Sequence, residues 1–135
     1  MLLLVAMIAG CSYPGETQED ARRAAAEAYN VGLTAFNSKD FNAAEPALTQ
    51  AIDVGGLNPD LLVDATIKRA VCWAATNKPG EALAELDKME TWGVSPDALN
   101  AARSYVLAKQ GKVAESRAAL AKARQFNRAV QEFKD

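Results

Sequence analysis

Two cysteines, a scatter of carboxylates and a few hydroxyls are the side chains that could do chemistry in this sequence, and histidine is absent. Losing imidazole removes the usual general base, the Ser/His and Cys/His nucleophile pairs and the commonest metal ligand. Cys11 and Cys72 stand far apart and form no metal-ligand spacing. Acids do recur at helical spacing, Glu81 with Glu85 and Asp87 with Glu90, but such pairs are expected on a solvated helix face. Gly55-Gly56 has no Lys-Ser/Thr after it, so no phosphate loop follows, and no serine lies in a G-x-S-x-G turn. The expectation is a protein that is not an enzyme and uses no cofactor and no metal. Cys72, between Val71 and Trp73, reads as a small core residue, and Trp73 and Trp92 as core or inter-repeat packing.

Cys11 is different. Met1 to Gly10 reads MLLLVAMIAG, apolar or small throughout, and a charged run begins at Glu16. Ten such residues are too few to span a bilayer, which takes about 20, and suit a signal-peptide apolar region with a small-residue cleavage site. Ile8-Ala9-Gly10-Cys11 resembles the lipobox of bacterial lipoproteins, although no Lys or Arg precedes the apolar stretch. The resemblance implies cleavage before Cys11, diacylation of its thiol (palmitate among the chains) and a membrane anchor, since two or more acyl chains hold where one barely does. Ser12 is not the Asp associated with inner-membrane retention, so the outer membrane of the cell envelope is favoured over the inner. Residues 1–10 are thus expected to be a signal peptide, 11–16 a lipidated tether and 17–135 the folded domain.

Half of the residues are of hydrophobic types and aromatics make up 7%. Alanine, the best helix former, dominates them, which points to an all-α domain. The net charge of −2 recommends neither nucleic acid nor an anionic membrane surface as partner. Charge is uneven, with nine acids against three bases from Glu16 to Asp64 and six bases against three acids from Lys112 to Asp135.

Turn signals at Ser38-Lys39-Asp40, Gly55 to Pro59, Asn77 to Gly80, Gly93 to Pro96 and Gln110-Gly111-Lys112 divide the domain into six helices. Asn58-Pro59-Asp60 and Ser95-Pro96-Asp97 each offer a side-chain cap, a proline at the first helical position and an early acid. Asp40 should cap the second helix, while Gly55 and Gly111 suit helix ends. Pro46, inside the second helix, should kink or loosen its turn. Aligning Ala44 with Ala82 and Ser116 brings Leu48, Leu86 and Leu120 together, and likewise Gly32, Ala70 and Ser104.

A helix–turn–helix period of about 34 residues with small residues at the crossings resembles the tetratricopeptide repeat (TPR). The match is best from Ala25 to Asn58 and looser from Val63 to Pro96 and Asp97 to Asp135. It implies a superhelical stack of about three TPR-like hairpins ending in a long C-terminal helix, Val113 to about Phe133. A polar outer face would let that helix cap the stack; it could instead dock a partner or fold back on the groove.

In TPR proteins the first helix of each hairpin lines a groove. Carried onto this sequence, the groove presents Tyr29, Asn30, Leu33, Phe36 and Asn37, then Ile67 and Val71, then Tyr105, with Ala74, Ala101 and Ala108 between. The basic array that grips peptide carboxylates in chaperone-binding TPR domains is missing, so an apolar peptide is the expected ligand. The resemblance implies a membrane-anchored adaptor lipoprotein for a protein partner in the envelope. The alternative is a structural subunit of an envelope assembly or secretion complex, without a free groove.

Overall fold

The computed structural model describes residues 17–135. The signal peptide 1–10, the tether 11–16 and Cys11 lie outside the described residues. Among the described residues there are six α-helices, one 3-10 turn and no strand: α1 (Gln18–Asn37), α2 (Phe41–Val54), α3 (Pro59–Ala75), α4 (Pro79–Met89), the 3-10 turn Glu90–Trp92, α5 (Pro96–Lys109) and α6 (Val113–Phe126). Consecutive helices pack as hairpins, and α3 touches both α1 and α5. The result is an all-α stack with α1, α3 and α5 forming an inner layer.

The same turn closes every hairpin. The amide of Asp40 donates to the Ala35 carbonyl at 2.9 Å, that of Lys78 to Trp73 at 2.7 Å and that of Lys112 to Leu107 at 2.9 Å. In each case the preceding residue is left-handed, Lys39 at φ 62°, Asn77 at φ 68° and Gly111 at φ 76°. This is the Schellman stop, in which a left-handed residue lets the chain satisfy the last carbonyls of the helix it leaves. Glycine takes that conformation freely and asparagine tolerates it, whereas for lysine it costs roughly 1 kcal/mol.

Helix starts follow the sequence with one exception. Thr17 and Asp20 form a reciprocal capping box; Asp40 accepts from the Ala43 amide at 3.1 Å and Asn58 from the Leu61 amide at 2.9 Å. Ser95 makes no such cap, its hydroxyl turning instead to the Asp97 carboxylate. Helix α2 runs unbroken through Pro46, which forfeits only the bond its missing N–H would have made to the exposed Asn42.

Small residues set how closely the helices approach. A Cβ on Gly32 would lie 2.8 Å from Cγ and Cδ2 of Leu48, itself fully buried. Ala25, Ala44, Ala51, Ala65, Ala70, Ala82 and Ala102 are buried in the same manner, around Leu48, Leu86, Met89, Val71 and Val106. At the third crossing Ser116 donates to the Ser104 carbonyl at 2.7 Å, and the two hydroxyls lie 3.1 Å apart. Serine thereby takes alanine's place without leaving a buried hydroxyl unpaired.

Between the layers, Arg69 of α3 pairs with Glu85 of α4, both sheltered from solvent, and its guanidinium lies 4.7 Å from the centre of the Trp73 ring. The Trp73 indole donates to Glu45 at 3.3 Å. Glu85 is therefore a sheltered ion-pair member and not the solvated face residue that its spacing suggests. Trp73 packs against the core, but Trp92 on the 3-10 turn is about half exposed.

The last helix is shorter than expected, ending at Phe126 where its apolar periodicity continues to Phe133. Asn127 stops it: its side-chain oxygen accepts from the Ala129 amide at 3.0 Å, and its Nδ2 donates to Asp97 at 2.9 Å. An asparagine that bonds the backbone locally competes with the helix ladder, and the tie to α5 strengthens the turn.

Replacing Gly32 with alanine should cost about 1–3 kcal/mol by forcing Leu48 aside. Gly80, within α4 with nothing near its missing Cβ, should gain about 0.4–1 kcal/mol from the same change. Urea unfolding of both variants checks the pair, and a Gly32→Ala midpoint equal to wild type would refute the close crossing.

Candidate functional site

The inner layer carries the aromatic residues marked out by the sequence, but the structure divides them. Ile67 and Val71 are core residues, so neither can meet a ligand without moving a helix. Ala74 and Ala101 are also buried. Tyr29 is buried, its hydroxyl donating to Asp64 of α3 at 2.6 Å. Leu33 is half-buried against the core, and Asn30, Asn37 and Ala108 are exposed. Phe36 and Tyr105 are covered, and what covers them is the chain itself.

Residues 127–135 leave α6 through a turn, with the Val130 amide donating to the Asn127 carbonyl at 3.1 Å, and cross the inner layer. The Phe133 ring packs edge-on against Phe36, centroids 6.2 Å apart. Phe36 also meets Phe41 edge-on at 5.6 Å, so the three rings form one cluster, and T-shaped contacts suit their quadrupoles. Two residues on, the Asp135 carboxylate accepts from the Tyr105 hydroxyl at 2.6 Å and from Nζ of Lys109 at 2.5 Å. Between them, the Lys134 carbonyl accepts from Nζ of Lys39. Beneath the segment lies a cleft of about 180 Å³ lined in part by Ser104, Tyr105, Leu120 and Phe133.

Basic groups ring this cluster. Lys68, paired with Asp64, holds its Nζ 5.7 Å from the Phe36 ring; Lys39 lies 6.0 Å from that of Phe41, and Lys109 5.3 Å from that of Tyr105. Each distance is within reach of a cation–π attraction. Lys39, Lys68 and Lys109 were not singled out by sequence reasoning, which sought the carboxylate-binding array of one TPR class. The available signal was Lys39 in a turn position that asks for glycine or asparagine.

Bonds from Lys109 and then Tyr105 hold the Asp135 carboxyl below its usual range. Burial, and then the bond to Asp135, pushes the Tyr105 phenol up; burial and Asp64 do the same to Tyr29. Asp97, which anchors the start of the segment, is lowered by Ser95 and Asn127. Cys72 is buried, and burial pushes its thiol up to about 12, which leaves it protonated and unreactive at neutral pH. Among the described residues no three His, Cys, Asp or Glu side chains gather as a metal site would, and no helix is long and apolar enough to cross a membrane.

Compared with known proteins, the chain matches no family model, no curated protein and no solved structure. The geometry places an aromatic cluster and a basic rim against residues 127–135 of the same chain.

Asp97 and Asp135, two of the carboxylates that pin the segment, are lowered, so their contribution is present above a free-carboxyl pKa of 3.8 and lost as pH falls through the lowered values. Acidification from neutral to below about pH 4 should release residues 127–135 before the helices melt. Backbone NMR shifts of Val130 and Phe133 against pH test this. A release centred near neutrality, or none before helix loss, would contradict the assignment.

Proposed function

We propose that this chain is a non-catalytic binding protein whose inner layer, formed by α1, α3 and α5, holds an extended segment of a partner polypeptide. A single observation supports this most directly: a non-helical segment, residues 127–135, already lies over those helices with side chain and backbone both engaged. Repeated Schellman turns at Lys39, Asn77 and Gly111 and small residues at matching crossings favour a TPR-like repeat as the scaffold. On this reading Cys11 is the lipidated residue of a bacterial lipoprotein. It tethers the module in the cell envelope, with the outer membrane favoured over the inner, and the partner is another envelope protein.

The second reading, a structural subunit of a larger envelope assembly, is favoured by a different observation. Trp92 and Phe126 are about half exposed or more on the last hairpins, apolar side chains that a fixed neighbour would cover.

Two experiments separate the parts. A Cys11→Ser variant should leave the membrane fraction for the soluble one; unchanged fractionation would remove the anchor. A photo-crosslinking side chain at Asn37, exposed beside Phe36, should join segments of other envelope proteins. The same group at Val31, exposed on the other side of α1, should not. Equal labelling at both positions would refute the inner layer as the binding face.

A further inference from the structure

The docked segment is non-helical, and at its end Phe133 and Asp135 engage the inner helices by their side chains while Lys134 between them does not. Phe133 and Asp135 meet α1 and α5 and Glu132 pairs with Arg124 of α6, whereas the Lys134 side chain is exposed and gives the stack only its backbone carbonyl. Recognition of that form is selective at two positions and indifferent at the third, because any residue supplies a carbonyl.

The receiving groups belong to the helical stack. Phe36 gives the ring contact, Tyr105 and Lys109 take the carboxylate, and Lys39 takes the carbonyl. Lys39 is also the residue at which the first hairpin turn departs from the glycine and asparagine of the other two. A left-handed backbone that its side chain does not favour persists in the residue that reaches the segment.

We propose that Phe133-Lys134-Asp135 is a built-in competitor, and that the face recognises in its partner an aromatic residue followed two positions later by a carboxylate. This rests on the inner layer binding extended polypeptide, and adds which polypeptide and how access is controlled. A partner segment of that pattern displaces residues 127–135 from Phe36, Tyr105 and Lys109; a segment without it leaves them in place.

The probe is a synthetic peptide of residues 127–135 titrated into the full chain and into a full-chain Asp135→Lys variant. That substitution sets Lys against Lys109 on an exposed side chain and leaves the helix crossings untouched. The variant should bind the peptide about tenfold or more tightly than wild type, because no competing segment must leave. Peptides altered at Phe133→Ala or Asp135→Asn should each lose about tenfold, while Lys134→Ala should bind as the parent does. A Lys39→Gly chain should unfold at higher denaturant yet hold the peptide more weakly, a split that a purely structural role for Lys39 does not give.

Equal affinity of wild type and the Asp135→Lys variant, or no effect of altering the aromatic and acidic positions, would overturn the proposal. A random peptide library distinguishes that failure from failure of the broader reading. Library peptides that lack the pair but still compete at Asn37 would sink the recognition rule and spare the binding face; no bound peptide of any kind would sink both.

Discussion

The distance between paired helices, set where Gly32 lies over Leu48, is the constraint on which the rest of this structure depends. A core built on glycine and alanine buries little apolar area per residue, so it must bring backbones close for dispersion and burial to hold the stack. The few large buried side chains, Leu48, Leu86, Met89, Val71 and Val106, fill what the close crossings leave. Even the exception obeys the rule. Ser104 and Ser116 stay small and bond to one another, so the third hairpin also crosses at small residues.

Close crossings have a consequence for the inner layer. Large rings have no room between the helices and are set at its face, where something must cover them. For Tyr29 that cover comes from the next hairpin, with Asp64 taking the phenol. For Tyr105 there is no next inner helix among the described residues, and Asp135 takes that phenol at the same 2.6 Å. The segment after α6 thus does for α5 what α3 does for α1, but with a non-helical chain in place of a helix. A helix held by its own hydrogen-bond ladder and a neighbour's side chains is a fixed part. A non-helical segment held by a handful of contacts has less to lose on leaving.

Much of this was legible in the sequence because its causes are local. Asn58-Pro59 and Asp40 announce helix starts through side chains that satisfy free amides, and Gly111 announces a stop through its φ. The small residues at Gly32, Ala44, Ala70 and Ala82 repeat with the hairpin and reveal the crossings. What escaped depends on distant partners. The run Phe126, Val130, Phe133 has helical spacing, but Asn127 gains a bond from Asp97, thirty positions away, and Phe133 gains a ring on α1. Val71 and Ile67 were placed on a groove by analogy; their burial follows from α3 being central, packed on both α1 and α5. The basic rim was missed for a related reason. Lys39, Lys68 and Lys109 come from a turn and two helices, and no spacing in the sequence unites them.

Magnitudes decide whether the docked segment can act as a gate. Residues 127–130 are held by their own turn bonds, so docking must fix residues 131–135, which at about 1–2 kcal/mol each opposes it by roughly 5 kcal/mol or more. Half-burial of Phe133 returns about 1–2 kcal/mol, the solvated ion pairs of Lys109 with Asp135 and Arg124 with Glu132 each add about 1 kcal/mol or less, and the Lys39 bond to the Lys134 carbonyl adds about 1 kcal/mol. The Tyr105 bond to a carboxylate adds roughly 1.5 kcal/mol. The opposing sums lie within a few kcal/mol of each other, in contrast to the helices, whose removal from the stack would open the alanine core. Near-balance is what a gate requires. A segment docked by a large margin would exclude every partner, and one without its ring and carboxylate would leave Phe36 and Tyr105 bare to any apolar surface.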